Sequence, residues 1–192
     1  MSHQITNVLL VGVGGQGILL ASEILAEAAM LAGFDVKKSE IHGMSQRGGS
    51  VVSHVRFGTE VFSPIVPEGE GHILFGFELM ETVRSLPLLK PGGTVVANDL
   101  QISPPSVLMG HETYPIGLAE LIKGQFADFL LVDGQKLAIE AGNVRAANTV
   151  LLGAVSKRLN IPEEQWLHAL EKMVPPKAVA VNVKAFQMGR AL

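Results

Sequence analysis

Asn7-Val8-Leu9-Leu10-Val11-Gly12-Val13-Gly14-Gly15-Gln16-Gly17 joins a short apolar run to the helix-like segment Ile18 to Ala32. Gly12, Gly14 and Gly17 fit the pattern G-x-G-x-x-G in the strand–turn–helix setting that gives it meaning. Glycine permits the tight turn and lets backbone approach a ligand closely. The helix start behind it aims unpaired N–H groups and partial positive charge over the turn. An anion, most often a phosphate, suits such a place, and Gly15 strips away still more side chain. The same glycines would also serve a plain structural turn, and both alternatives stand at this point.

Outward from the turn, Asn7 to Val11 has the character of a buried strand, and a helix runs from about Gln16 to Ala32. Ile24, Leu25, Ala28 and Leu31 share an apolar helical face, Glu23 and Glu27 lie elsewhere, and Gly33 is a stop. Asp35 to Ser39 makes a second strand, and a β-α-β unit implies parallel strands joined by a right-handed crossover. Glu40 to Ser50 is polar, glycine-rich and without periodicity, hence a loop. It feeds a strand at Val51 to Phe57, a turn at Gly58-Thr59 and a returning hairpin arm at Glu60 to Ser63, before Pro64 and Pro67.

Further strands are expected at His72 to Gly76, Thr94 to Ala97 and Phe129 to Val132, with a short edge strand at Thr113 to Ile116. Lys90 to Gly93 is a turn and Ile102 to Gly110 a loop. Helices are expected at Glu78 to Leu86, Leu118 to Lys123, Lys136 to Ala141, Asn148 to Leu159, Pro162 to Met173 and Ala178 to Met188. The fold class is therefore α/β: a Rossmann-like, mostly parallel sheet with an antiparallel edge hairpin and a helical C-terminal third, residues 1–192 forming a single domain.

Composition narrows the function. A net charge of -3, with no basic stripe, argues against nucleic acid as the main partner. No apolar helix is long enough to span a bilayer and no leader precedes the first strand, so no membrane and a cytoplasmic location are expected. The chain has 0 cysteines, which removes thiol nucleophiles, thiolate zinc sites and cysteine-ligated iron–sulfur clusters. With 47% hydrophobic and only 17% charged residues, part of the surface is expected to face a partner.

Several chemistries fail on inspection. A triphosphatase loop needs Lys and Ser or Thr after Gly17, where Ile18 and Leu19 stand. Gly43-Met44-Ser45-Gln46 starts like a hydrolase elbow, but Arg47 takes the final glycine position and a strand follows. The histidines at 3, 42, 54, 72, 111 and 168 form no ligand pattern, so no metal site is expected, and His54 and His168 are surface or packing residues. No catalytic residue is assigned. Glu40 sits about where a dinucleotide-binding fold keeps its ribose-binding acid, which keeps an autonomous NAD- or FAD-binding protein open.

The loop Glu40 to Ser50 is the second anchor. Arg47 can fork onto a phosphate or carboxylate, Gly48 and Gly49 expose backbone amides, and His42 and Ser45 are polar contacts. With the first two strands side by side, both glycine loops would lie at their carboxyl ends, where α/β sheets bind ligands. The alternative is that Arg47 meets a structural acid and the loop packs on a neighbouring subunit. Asn143, Arg145 and Asn148 form a polar group before a helix that Asn148 could cap. The expected ligand-binding set is Gly12, Gly14, Gly15, Gln16, Gly17, Glu40, His42, Ser45, Arg47, Gly48 and Gly49.

Taken together, the glycine turn, the string Ser39-Glu40-Ile41-His42-Gly43-Met44-Ser45-Gln46-Arg47-Gly48-Gly49-Ser50-Val51, and His54-Val55-Arg56 resemble the gamma subunit of 2-oxoacid:ferredoxin oxidoreductases. Glu78, Arg84, Asn143 to Asn148, Gly153, Asn182, Ala185-Phe186 and Gly189 continue the likeness over nearly the whole chain. The string is most similar to the small (beta) subunit of indolepyruvate enzymes, while Gly71-His72 and Val181 depart from the family pattern. The resemblance implies a non-redox subunit of a complex that oxidatively decarboxylates a 2-oxoacid with coenzyme A and reduces ferredoxin. The oxoacid would be indolepyruvate or another arylpyruvate, pyruvate, 2-oxoglutarate or ketoisovalerate. Thiamine diphosphate and iron–sulfur clusters would sit on partner subunits, in keeping with the missing cysteines. Coenzyme A would meet the glycine loops, ferredoxin would be an indirect partner, and the isolated chain would be inactive and able to pair with a second copy. A pure scaffold is the remaining alternative.

Overall fold

β1 (Thr6–Val13) is the middle of the fold because both of its faces are apolar. Val8, Leu9, Leu10 and Val11 are all fully buried. Alternation sends Val8 and Leu10 to one face, under α1 (Ile18–Leu31), and Leu9 and Val11 to the other, under α2 (Leu79–Ser85). The computed structural model describes residues 5–42 and 48–192. The other strands are β2 (Asp35–His42), β3 (Ser50–Gly58), β4 (Gly71–Gly76), β5 (Leu89–Asn98) and β6 (Phe129–Val132), in the sheet order β2-β3-β1-β4-β5-β6.

β1, β4, β5 and β6 pair in parallel, while β3 is antiparallel to both β1 and β2. The α/β class and the antiparallel edge are as expected, but the hairpin has different arms. It is β2–β3, and β3 enters between β1 and β2, so the first two strands are parallel without being neighbours. The cause is polarity. β2 reads Asp-Val-Lys-Lys-Ser-Glu-Ile-His and suits an edge guarded by charge, whereas Val51, Val55 and Phe57 of β3 need cover.

Four other expectations are corrected. Glu60 to Ser63 forms no strand. Neither does Thr113 to Ile116, where Tyr114 instead donates a short hydrogen bond to the buried carboxylate of Glu78. The Pro91-Gly92-Gly93 turn lies inside β5 as an irregularity: the ladder passes from Gly71↔Leu89 to Ile73↔Thr94, and Gly92 takes φ 73. A short α3 (Pro105–Leu108) interrupts the predicted 102–110 loop.

The remaining helices are α4 (Leu118–Gln125), α5 (Gly134–Ala141), α6 (Ala147–Ser156), α7 (Glu163–Met173) and α8 (Val179–Arg190). α4 joins α2 on one face; α5 to α8 join α1 on the other, around Trp166 and Phe186, whose rings lie 5.9 Å apart. Glu27, off the apolar face of α1, meets Lys172 of α7 at 2.6 Å.

His54 and His72 are packing residues that act as acceptors. Val66 N–H donates to His54 Nδ1 and Asn7 N–H to His72 Nδ1, each at 3.1 Å. Burial holds both imidazoles below their ordinary value near 6.5, helped by Arg56 for His54 and by Lys90 for His72, with Glu70 opposing at His72. Below pH 6.5 the unfolded chain takes up protons that the folded chain refuses, so stability falls with pH from there down to the depressed folded values. Urea midpoints should therefore drop between pH 7.5 and 5. His54→Gln, which still accepts from Val66, should remove part of the drop; an unchanged slope would count against it.

Candidate ligand site

β1 and β2 each oppose β3, so both release their chain at the same end of the sheet. There the two glycine segments meet. Gly14 N–H donates to the Gly49 carbonyl at 2.9 Å, and Gly48 N–H reaches the Gly14 carbonyl at 3.5 Å. Gly15, Gly17 and Gly48 have φ of 104, 80 and 78, a region only glycine enters without strain. Ser45 and Arg47 lie outside the described residues, as does the His42 side chain; the backbone of His42 ends β2 opposite Val51.

A recess of about 550 Å³ opens over the turn, lined by Gly14, Gly15, Gly17, Ile18, Leu19, Leu20, Glu40 and Val51. A second, of about 430 Å³, shares Gly15, Gly17 and Leu20 with it and continues past Phe77, Asn98 and Asn148 to Arg145. Together they straddle the first turn of α1. The neighbouring parallel strands β1 and β4 lead into α1 and α2 on opposite faces of the sheet. The chain thereby splits open at their carboxyl ends, the place where open α/β sheets take ligands.

The expected site residues divide by role. Gly14 has spent its amide on Gly49, and Gln16 N–H points to the Val13 carbonyl at 3.3 Å, so neither is a free anion donor. The Gly15 and Gly17 amides have no partner among the described residues, and the first turn of α1 adds the open amides that every helix start leaves. The Gln16 side chain is a staple. Its Oε1 accepts from Val13 N–H at 2.7 Å and its Nε2 donates to the Phe77 carbonyl at 2.8 Å. Gly12 makes room for that staple, since a Cβ there would come within 2.6 Å of Gln16 Oε1 and 2.8 Å of Phe77 Cβ.

Glu40 lines the first recess, but the register Glu40↔Ser53↔Leu10 sets it two strands away from β1. That is roughly 10 Å, twice the spacing that a dinucleotide fold gives its ribose-binding acid. Glu40 is also paired with Lys38 at 2.7 Å. The geometric support for autonomous NAD or FAD binding is therefore gone.

Composition and motif alone missed a polar chain behind the turn. Asn148 is buried inside the first turn of α6, whose N-cap position is Ala146; its Nδ2 donates to the Gly17 carbonyl at 3.4 Å. Its Oδ1 accepts from Thr149 N–H at 3.0 Å, Thr149 Oγ1 donates to Asn182 Oδ1 at 2.6 Å, and Asn182 Nδ2 donates to the Ala178 carbonyl at 2.8 Å. The turn is thus anchored from α8. Asn98 holds the other side, donating to the Phe77 carbonyl at 3.2 Å and accepting from Gly134 N–H at 3.0 Å. Arg145 carries no hydrogen bond or ion pair from its guanidinium among the described residues, and faces the second recess. Its sequence signal was its place between Asn143 and Asn148.

Among the described residues no group of His, Asp or Glu could hold a metal ion, and no helix is long and apolar enough to cross a membrane. The lining combines backbone amides, a cation and apolar walls, which suits binding of an anionic ligand more than proton transfer.

The family model described as pyruvate ferredoxin/flavodoxin oxidoreductase matches residues 7–192. The chain is 44% identical over 188 residues to the indolepyruvate oxidoreductase subunit IorB of Thermococcus kodakarensis, covering 95% of this chain and 93% of that protein. Among solved structures it is similar to the keto/oxoacid ferredoxin oxidoreductase gamma subunit of Geobacter sulfurreducens, with TM-score 0.71, 27% identity and 96% and 95% of the two chains covered. It also shares its fold with part of a 2-oxoglutarate:ferredoxin oxidoreductase from Magnetococcus marinus that has 2-oxoglutarate, coenzyme A and succinyl-CoA bound. There the TM-score is 0.75 at 22% identity, over 98% of this chain and 31% of that one.

Proposed function

This chain belongs to the pyruvate ferredoxin/flavodoxin oxidoreductase family, and on that premise we propose that it is the small, non-redox subunit of a 2-oxoacid:ferredoxin oxidoreductase. The reaction is the coenzyme A-dependent oxidative decarboxylation of a 2-oxoacid, with electrons passing to ferredoxin. Indolepyruvate or another arylpyruvate is the first substrate to assay, given the likeness to IorB. Thiamine diphosphate and the iron–sulfur clusters belong to partner subunits, a division consistent with 0 cysteines here. The whole of residues 1–192 acts as one domain, in the cytoplasm.

The contribution of this chain is a cradle for coenzyme A. The observation that carries this is the meeting of the two glycine segments at Gly14 and Gly49, above a recess at the sheet's switch point. The Gly15 and Gly17 amides and the start of α1 receive phosphate oxygens. Arg47 supplies the fixed charge, Gly48 and Gly49 the close backbone, and Glu40, His42 and Ser45 the polar edge. Gly12 and Gln16 hold the turn in shape.

Titration of the assembled complex with coenzyme A and with NAD tests this directly. Coenzyme A should bind and NAD should not, and the isolated chain should show no oxoacid oxidation. Arg47→Gln should weaken coenzyme A binding about tenfold, the worth of a charge-assisted phosphate contact. Micromolar NAD affinity, or no coenzyme A binding by the complex, would overturn the proposal.

A further inference from the structure

The strongest unexplained feature lies at the other end of the sheet from the glycine turns. Between β3 and β4, residues 59–70 form a loop that carries Phe62 almost entirely in solvent, at 84% exposure. Ile65 beside it is 44% exposed, with Pro64 and Pro67 adjoining. A single exposed apolar residue needs no explanation. This one is held out by a frame.

Val61 and Val66 on either side are buried to 2% exposure and plug the loop into the core. Asp35 Oδ2 accepts from Val61 N–H at 2.8 Å, and His54 Nδ1 accepts from Val66 N–H. Arg56 Nη1 donates to the carbonyls of Ser63 at 2.9 Å and Ile65 at 3.0 Å, while its Nε donates to Asn7 Oδ1 at 2.9 Å. Asn7 in turn donates to the Glu70 carbonyl at 2.9 Å. Three strands and two prolines thus hold residues 62–65 in one shape, so little freedom is left to lose on contact.

The rim of the loop is acidic. Glu60, Glu68 and Glu70 are exposed, and residues 59–70 include no Lys or Arg. A twofold contact with a second copy would set these carboxylates against themselves. A hetero-partner with an apolar pocket and a basic rim meets no such penalty. Because the loop is remote from the glycine turns, a partner seated there leaves the ligand recess open.

We propose that Phe62 is a preorganised anchor by which this chain docks onto the thiamine- and cluster-bearing subunit of its complex, which receives the ring in an apolar pocket ringed by Lys and Arg. This rests on the functional reading above. Aromatic residues held in place at the centre of a contact carry much of its binding energy, and the acidic rim governs the rate of encounter.

The test co-expresses the full chain with that subunit and measures the dissociation constant of the purified complex by dilution. Phe62→Ala should raise Kd by at least about tenfold, while the melting temperature of the free chain stays unchanged. The Glu60→Lys, Glu68→Lys double variant should slow association, and added salt should slow it in the wild type. A wild-type complex that forms with the same Kd after Phe62→Ala overturns the docking proposal alone. So does a free chain whose dimer dissociates on Phe62→Ala while the hetero-complex is untouched. A wild-type chain that never binds the thiamine- and cluster-bearing subunit overturns the functional reading, and the docking proposal with it.

Discussion

Gly189→Ala and Gly153→Ala will each cost several kcal/mol of stability, about 3 or more of the roughly 5–15 that a domain of this kind possesses. The two glycines lie where α6 and α8 touch backbone to backbone. A Cβ on Gly189 would fall 1.8 Å from the Val150 carbonyl oxygen, and one on Gly153 2.1 Å from that of Phe186. Neither neighbour is a side-chain tip that can swing aside. The helices would have to part, and Phe186 would withdraw from Trp166. The locks beside the contact, from Arg190 Nη1 to Ser156 Oγ at 2.8 Å and from Arg190 Nε to Glu163 at 3.1 Å, would part as well. Urea denaturation of soluble protein, or the loss of soluble protein altogether, reads the effect. A midpoint within experimental error of wild type for both variants would show that the crossing is looser than this geometry.

Gly17→Ala should produce the largest loss of ligand binding for the least loss of fold. At φ 80 an alanine bears about 1–2 kcal/mol of left-handed strain. Its Cβ would also lie 2.8 Å from Asn148 Nδ2, so the hydrogen-bonded chain from Asn148 through Thr149 to Asn182 must move or the start of α1 must. Either movement re-aims the open amides, and coenzyme A affinity of the complex should fall at least about tenfold. Gly92→Ala is the matched control. Gly92 has φ 73, a Cβ there meets nothing within 4 Å, and it sits in the β5 irregularity away from the recess. It should lose similar stability and leave coenzyme A binding unchanged. Equal binding losses in both variants would mean that strain alone, not the turn, was measured.

Both effects bear on how far local signals reach. The turn from β1 into α1, the closure of α1 at Gly33, the acid-led start of α7 and the polar nature of β2 are all legible from neighbouring residues. The meeting of two glycine-rich segments at one end of the sheet was expected from neighbouring first and second strands; β3 separates the two, and the segments still meet because β1 and β2 run the same way. The string from Ser39 to Val51 pointed to the family, which the match over residues 7–192 bears out.

The misjudged elements share a cause. Glu60 to Ser63 alternates like a hairpin arm, yet Val61 is drawn into the core and Arg56 takes up the carbonyls that a strand would have offered to a neighbour. Asn148 has the chemistry of a cap, but packing against Gly17 buries it. Gln16 has the chemistry of a ligand contact, but Val13 and Phe77 claim both ends of its amide.

By itself the sequence determined most of the elements, their polarity and the glycines that permit the turn, since periodicity and backbone sterics act over a few residues. Only the tertiary structure decided that β3 separates β1 from β2, that the Gly14 amide is spent on Gly49 while the Gly15 amide has no partner among the described residues, and that Phe62 stands outside the core. Those outcomes are settled by competition among groups far apart in the chain, each seeking one buried place or one hydrogen-bond partner, and no local pattern records who wins.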